Sequence, residues 1–210
     1  MSPFAEVLST AGVAETYELR SRVGVMAYHG GSLEVMTDVI AAEVAERAGA
    51  SYYAVIQPQA SREHFPSISV RPSESDRLAA FLDHVDVVIT IHGFGRRGMF
   101  SSLLLGGRNR ALAAHVGARL RTRLPAYDIV TELTDIPEPL RGQHAANPVN
   151  LPRNGGVQIE LPPRVRGLSP MWWDWEGPGL TPHTEALIDA LTDAVTTWDQ
   201  RSEPHATVAR

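Results

Sequence analysis

The sequence predicts a single α/β domain built on a mixed, mostly parallel sheet with helices on both faces. Three observations carry this expectation. Short apolar runs alternate with amphipathic stretches along the chain. The length of 210 residues suits one compact unit with a real core. The run Asp86 to Ile91, DVVITI, is β-branched almost throughout, as a strand covered on both faces requires.

The elements come in order. Residues 1–20 read as an N-terminal extension, 21–200 as the domain and 201–210 as a C-terminal tail. Arg22 to Tyr28 is a buried strand running into His29-Gly30-Gly31-Ser32, a turn whose glycines would bring backbone close to a bound group. A helix is expected from Leu33 to Ala48, with Met36, Val39, Ile40 and Val44 at helical spacing and Gly49 as terminator. Ser51 to Gln57 is a strand and Ser67 to Val70 a short one. Ser73 to Val85 is a helix capped by Ser73. Asp86 to Ile91 is the central strand, Met99 to Leu105 another, Arg108 to Leu124 a helix, and Tyr127 to Thr131 a strand. Val157 to Leu161 is the last strand, and a helix from Pro182 to Trp198, with proline in its first turn, closes the domain. Two long loops, Thr134 to Gly155 and Pro162 to Gly179, are the kind that carry function.

Two absences narrow the chemistry. With no cysteine there is no thiol nucleophile, disulfide or thiolate metal site. All 19 basic residues are arginine, so Schiff-base chemistry and a phosphate-loop lysine are excluded as well. Any metal ligands must be His, Asp or Glu, a set that suits catalytic rather than structural zinc. A net charge of −5 argues against nucleic-acid partners. No window reaches the roughly 18 apolar residues of a membrane span, and Met1 to Arg20 has no apolar core of a signal peptide. The expected location is therefore the cytoplasm, or outside the cell by a route without a leader.

Arg96 with Arg97, Arg108 with Arg110, and Arg164 with Arg166 fall in or beside loops, where Arg96 and Arg108 could grip substrate carboxylates. The alternative for each is ordinary solvated surface.

His29 follows the first strand, Glu34 opens the helix five residues later, and His92 follows the central strand. Open α/β sheets place their sites at such strand ends. Two histidines and one carboxylate, with a position left for water, form a catalytic zinc arrangement. Hydrolysis there needs a carboxylate to move a proton, and Glu160 is the candidate. Period 2 in Val157 to Leu161 puts Gln158 and Glu160 on one face. The competing reading is an outward polar position on an edge strand. Gly93 to Gly98 satisfies GxGxxG, but Met99 to Leu105 reads as a strand where a helix should open, and no acidic residue lies at the ribose-binding distance. The glycines are expected to keep backbone near the metal instead. No GxSxG elbow is present. Trp172, Trp173 and Trp175 form an aromatic cluster that suits either a substrate wall or a cover for the core edge.

The set HGG-x-x-E (His29 to Glu34), IHG (Ile91 to Gly93), LLGG (Leu104 to Gly107) and GVQIEL (Gly156 to Leu161), in that order, resembles the poly-γ-glutamate hydrolase family. The resemblance implies a zinc carboxypeptidase-like fold and one zinc ion held by His29, Glu34 and His92. It also implies Glu160 as the general base. It further implies that an arginine near the asparagine-rich approach to the last strand helps hold substrate; Asn150, Arg153 and Asn154 are the nearest match, and Asn154 follows Arg153 where the family reads more like Asn-Arg-Gly. His64 lies in a loosely matching segment and is not among the expected catalytic residues. The substrate implied is an anionic γ-linked glutamyl compound. Two other readings remain: a zinc amidase or carboxypeptidase acting on another acyl amino acid, and a metal- or anion-binding module without catalysis.

Overall fold

The computed structural model describes residues 2–198; the expected tail at 201–210 lies outside the described residues. Seven strands, β1 (Ala14–Glu18), β2 (Val23–Gly31), β3 (Ser51–Gln57), β4 (Val87–Gly93), β5 (Ser102–Leu105), β6 (Asp128–Val130) and β7 (Gly156–Leu161), form one sheet. Its order is β1-β3-β2-β4-β7-β5-β6. The β1·β3 and β5·β7 pairs are antiparallel and the other four parallel, so the sheet is mixed and mostly parallel, as expected.

Among the described residues, five helices cover both faces: α1 (Pro3–Ser9), α2 (Thr37–Ala48), α3 (Asp76–His84), α4 (Arg110–Arg123) and α5 (Pro182–Thr196). Strand alternation assigns the layers. Val25, Ala27, Ile89, Ile91, Val157 and Ile159 pack with Ile40, Val44, Leu112, Val116, Leu187 and Leu191 of α2, α4 and α5. The alternate residues Met26, Tyr28, Tyr53 and Val88 pack with Phe4, Leu78 and Phe81 of α1 and α3. Helices α1 and α3 are short and cover only part of this second face. Beyond them it is roofed by irregular chain, and there the sheet presents polar side chains.

Several boundaries depart from expectation for identifiable reasons. Residues 1–20 are not merely an extension: they contain α1, whose Phe4 and Val7 are buried, and the edge strand β1. β1 reads AETYE with most positions at least partly exposed, so it carries no apolar run to announce it. The helix expected from Leu33 begins only at Thr37, because Met36 has a left-handed backbone (φ 76°) and Glu34 lies in the preceding turn. Its stop at Gly49 is as expected: φ is 63° and the N–H reaches back to Ala45 and Glu46. Ser67–Ser69 is a 3₁₀ turn rather than a strand. Ser75, not Ser73, caps α3, accepting the Leu78 N–H at 3.0 Å after a separate turn at Pro72–Glu74. The β5 strand starts at Ser102 rather than Met99. No helix among the described residues is long and apolar enough to cross a membrane.

β2 is longer than expected, running through His29 and Gly30 to Gly31. Ala27 pairs with Ala54 and Gly30 with Ile56, so β2 advances three positions while β3 advances two. The extra residue is a bulge. Gly31 closes it with φ 68°, and a Cβ there would lie 2.4 Å from the Gln57 carbonyl oxygen. The glycine thus serves close packing of β2 on β3 rather than approach to a ligand. Gly31→Ala is expected to lower unfolding stability by about 1–3 kcal/mol, seen as a lower denaturant midpoint with unchanged m-value.

Candidate active site

Three strands deliver the site. His29 comes from the bulge of β2, His92 from the end of β4, and Glu160 from β7, where it is the register partner of His92. β7 lies between β4 and β5, so the edge-strand reading of Glu160 is wrong: its side chain is buried on the face that α1 and α3 leave uncovered. The bulge matters here, because regular alternation would send Tyr28 and His29 to opposite faces. Instead both rings pack edge-on against His92, with ring centroids 4.8 and 4.9 Å away.

Glu34 joins the two histidines. Its Oε1 lies 2.9 Å from His29 Nδ1 and its Oε2 3.1 Å from His92 Nδ1, and Oε2 also accepts the Gly93 N–H at 2.8 Å. One ligand atom from each of His29, Glu34 and His92 falls within 4.8 Å of the others, a spacing that a single metal ion can bridge. The outer ring nitrogens are also engaged. His29 Nε2 lies 3.0 Å from the Phe65 carbonyl oxygen, and His92 Nε2 lies 2.9 Å from the Tyr28 hydroxyl. A carbonyl can only accept, so with an ion bound His29 would carry its proton on Nε2 and turn the Nδ1 lone pair toward that ion. The donor set therefore fits a divalent ion of borderline softness held through two Nδ1 atoms and a carboxylate.

The two carboxylates are tuned in opposite directions. Burial alone would raise Glu34, but the neighbouring His92 charge and hydrogen bonds from both imidazoles outweigh it and keep Glu34 well below the usual range. Burial lifts Glu160 to about 7; His92 opposes the rise and Glu34 adds to it. Burial lowers His29. For His92, burial pulls downward, and attraction to Glu34 prevails to raise it. Glu160 is also held in place: Gln158 Nε2 donates to its Oε1 at 2.9 Å, and Asn147 Nδ2 donates to Gln158 Oε1 at 2.9 Å.

A cavity of about 950 Å³ opens over these groups, lined in part by His29, Glu34, His64, His92, Arg141 and Glu160. Residues 8–170 match the family described as poly-gamma-glutamate hydrolase. The chain belongs to the poly-gamma-glutamate hydrolase family. Membership makes it a hydrolase of amide bonds. A bacteriophage poly-gamma-glutamate hydrolase superposes with a TM-score of 0.70 at 22% identity, over 90% of this chain and 91% of that one. The zinc-free apo structure of YNDL superposes with a TM-score of 0.69 at 18% identity, over 88% of this chain and 90% of that one. At such identities the two structures establish a shared fold. No curated protein matches the sequence.

The residues expected to bind substrate fare differently from the triad and Glu160. Arg153 is exposed and precedes β7, whereas Glu160 stands near its far end; the strand from Gly156 to Glu160 alone spans about 13 Å. Neighbouring Asn154 bonds to Asp86 at the start of β4, which puts Arg153 at the wrong end of the sheet. Asn150 Nδ2 donates to the Gly142 and His144 carbonyls, and Arg108 Nε donates to the Gln143 carbonyl. These two residues brace the loop that carries Arg141 and His144 without lining the cavity themselves. Arg96 is exposed on the loop after β4 and lines neither of the two cavities beside Glu34. Of the tryptophan cluster, Trp172 packs on His183 and Trp173 is 79% exposed; none lines the cavity.

Residues that the sequence patterns did not single out are closer. His64 lines the cavity, its ring 5.4 Å from that of His29. Arg141 comes from a loop whose position no periodicity reveals. Tyr28 could have been found only by anticipating the bulge. Because the Tyr28 hydroxyl orients His92, Tyr28→Phe is expected to weaken divalent-metal affinity about 10- to 100-fold in a folded protein, measured by chelator competition.

Proposed function

We propose that the protein hydrolyses γ-glutamyl amide bonds, in poly-γ-glutamate or a related γ-linked glutamyl compound, with one zinc ion held by His29, Glu34 and His92. Family membership supports the amide-hydrolase chemistry. The observation that carries the reading is the placement of Glu160, buried and with no ion-pair partner among the described residues, directly across the strand pair from the proposed ligand His92. A module that only bound metal would have no use for this second carboxylate.

A zinc ion in the triad supplies Lewis acidity, polarising a carbonyl and making water acidic enough to give up a proton near neutrality. The protein's own groups supply the rest. Glu160, raised to about 7, accepts the proton of the attacking water and returns it to the departing amine nitrogen. Gln158 fixes the carboxylate's rotamer, and Asn147 fixes Gln158. The Phe65 carbonyl and the Tyr28 hydroxyl hold the histidine rings with Nδ1 inward. Arg141 brings positive charge to the cavity wall, which suits an anionic glutamyl substrate.

Two experiments test this reading. Purified protein should contain about one zinc ion per chain, and elemental analysis of His29→Ala and His92→Ala should show its loss; full zinc in both variants would remove the triad as the metal site. Glu160→Gln should keep zinc and fold while losing about 10²- to 10⁴-fold in turnover of a γ-glutamyl amide, with metal content measured on the same preparation. Turnover within a few-fold of wild type would leave Glu160 a structural residue.

A further inference from the structure

A second cavity, of about 340 Å³, adjoins the first and shares with it Leu33, Glu34, Gly93 and Phe94. Its walls carry two arginines, Arg62 and Arg166, and one acid, Glu34. Arg166 is only 7% exposed. Nε donates to the Leu161 carbonyl at 3.2 Å and Nη1 to the Val35 carbonyl at 2.6 Å. The guanidinium thus ties the end of β7 to the turn that bears Glu34.

The guanidinium lies against Gly93, where a Cβ would come within 2.8 Å of Cζ; any side chain after His92 would displace it. Among the described residues, Nη2 has no hydrogen-bond acceptor and no carboxylate lies within ion-pair distance of Arg166. Glu34 and Glu160 act on it from further away. Both are already engaged, Glu34 by two imidazoles and the Gly93 N–H, Glu160 by Gln158. A buried cation without a dedicated counter-charge is costly, and an anionic ligand relieves that cost. Arg62, exposed at the cavity wall with no ion-pair partner among the described residues, adds a second positive charge.

We propose that this second cavity is a carboxylate subsite, in which Arg166 and Arg62 hold an acidic group of the substrate beside the metal triad. The identity of that group rests on the γ-glutamyl reading: a γ-linked chain spends each side-chain carboxyl on the amide and leaves every α-carboxylate free. A carboxylate in the cavity accepts from Nη2, the nitrogen of Arg166 left without an acceptor, in a charge-assisted hydrogen bond. Arg62 closes over it from the solvent side. The subsite thereby selects acidic residues on one side of the scissile bond, independently of the wall that Arg141 forms in the larger cavity.

The test is calorimetric titration of zinc-loaded protein with glutarate, a dicarboxylate with no bond to cleave. Wild type is expected to bind it. Arg62→Ala and Arg166→Lys are each expected to weaken binding by at least about fivefold, since a hydrogen bond to a charged group contributes that much or more. Arg123→Ala, on α4 across the sheet, serves as a control and should bind as wild type. Arg62 is exposed, so its variant keeps the fold even where Arg166→Lys does not. Failure of wild type to bind glutarate, or a smaller loss in Arg62→Ala, overturns the subsite. Glutarate binding that depends on both arginines, in a protein that cleaves no γ-glutamyl amide, upholds the subsite and removes the hydrolytic reading instead.

Discussion

The site depends on one extra residue in β2. A regular strand alternates its side chains, and the packing of Val25 and Ala27 against one helical layer with Met26 and Tyr28 against the other shows β2 doing so up to the bulge. Inserting one residue between Ala27 and Gly30 lets Tyr28 and His29 act on the same face. Without it, His29 would point toward α2, α4 and α5, and Glu34 could not touch both imidazoles. The neighbouring strands need no such device. His92 and Glu160 occupy paired positions on β4 and β7, so ordinary pleating brings the second histidine and the second carboxylate together.

How much of this was legible in the sequence depends on what each signal measures. Apolar periodicity reports burial, so it located β3 and β4, the core of every long helix, and the face on which Gln158 and Glu160 lie. It said nothing of strands that bury little, and β1 was missed for that reason. Nor did it sense backbone conformation: the apolar spacing continued smoothly through Met36, although its left-handed geometry delays the helix and leaves Glu34 in a turn. The edge-strand alternative for Glu160 arose because polar alternation looks the same whether the polar face meets water or a cavity.

The convergence of His29, Glu34, His92 and Glu160 was legible because strand ends in an open α/β sheet converge. Arg153 was misplaced because proximity in sequence to β7 does not say which end of the strand is near. Arg166, five residues beyond that strand, reached the site through a tight return that Gly93 makes possible. Its role belongs to packing geometry, which no single-chain motif encodes. Glu34 and Glu160 show the same limit in electrostatic form. They are chemically identical side chains on one cavity wall, yet burial lifts Glu160 to about 7 while the two imidazoles hold Glu34 well below the usual carboxylate range.

The double grip of Glu34 on His29 and His92 bears on how the protein would take up the ion proposed for it. The ligand atoms already stand together, tied by hydrogen bonds to one another and fastened behind by the Phe65 carbonyl and the Tyr28 hydroxyl. Capture then exchanges internal contacts for coordination bonds and demands no reordering of the chain. Small zinc domains that are unstructured without their ion occupy the opposite extreme, because there coordination and folding are one event. Here the two are separated. If the proposed ion is what the protein works with, its scarcity would idle the protein without exposing its core, and resupply would restore it without a second passage through the unfolded state.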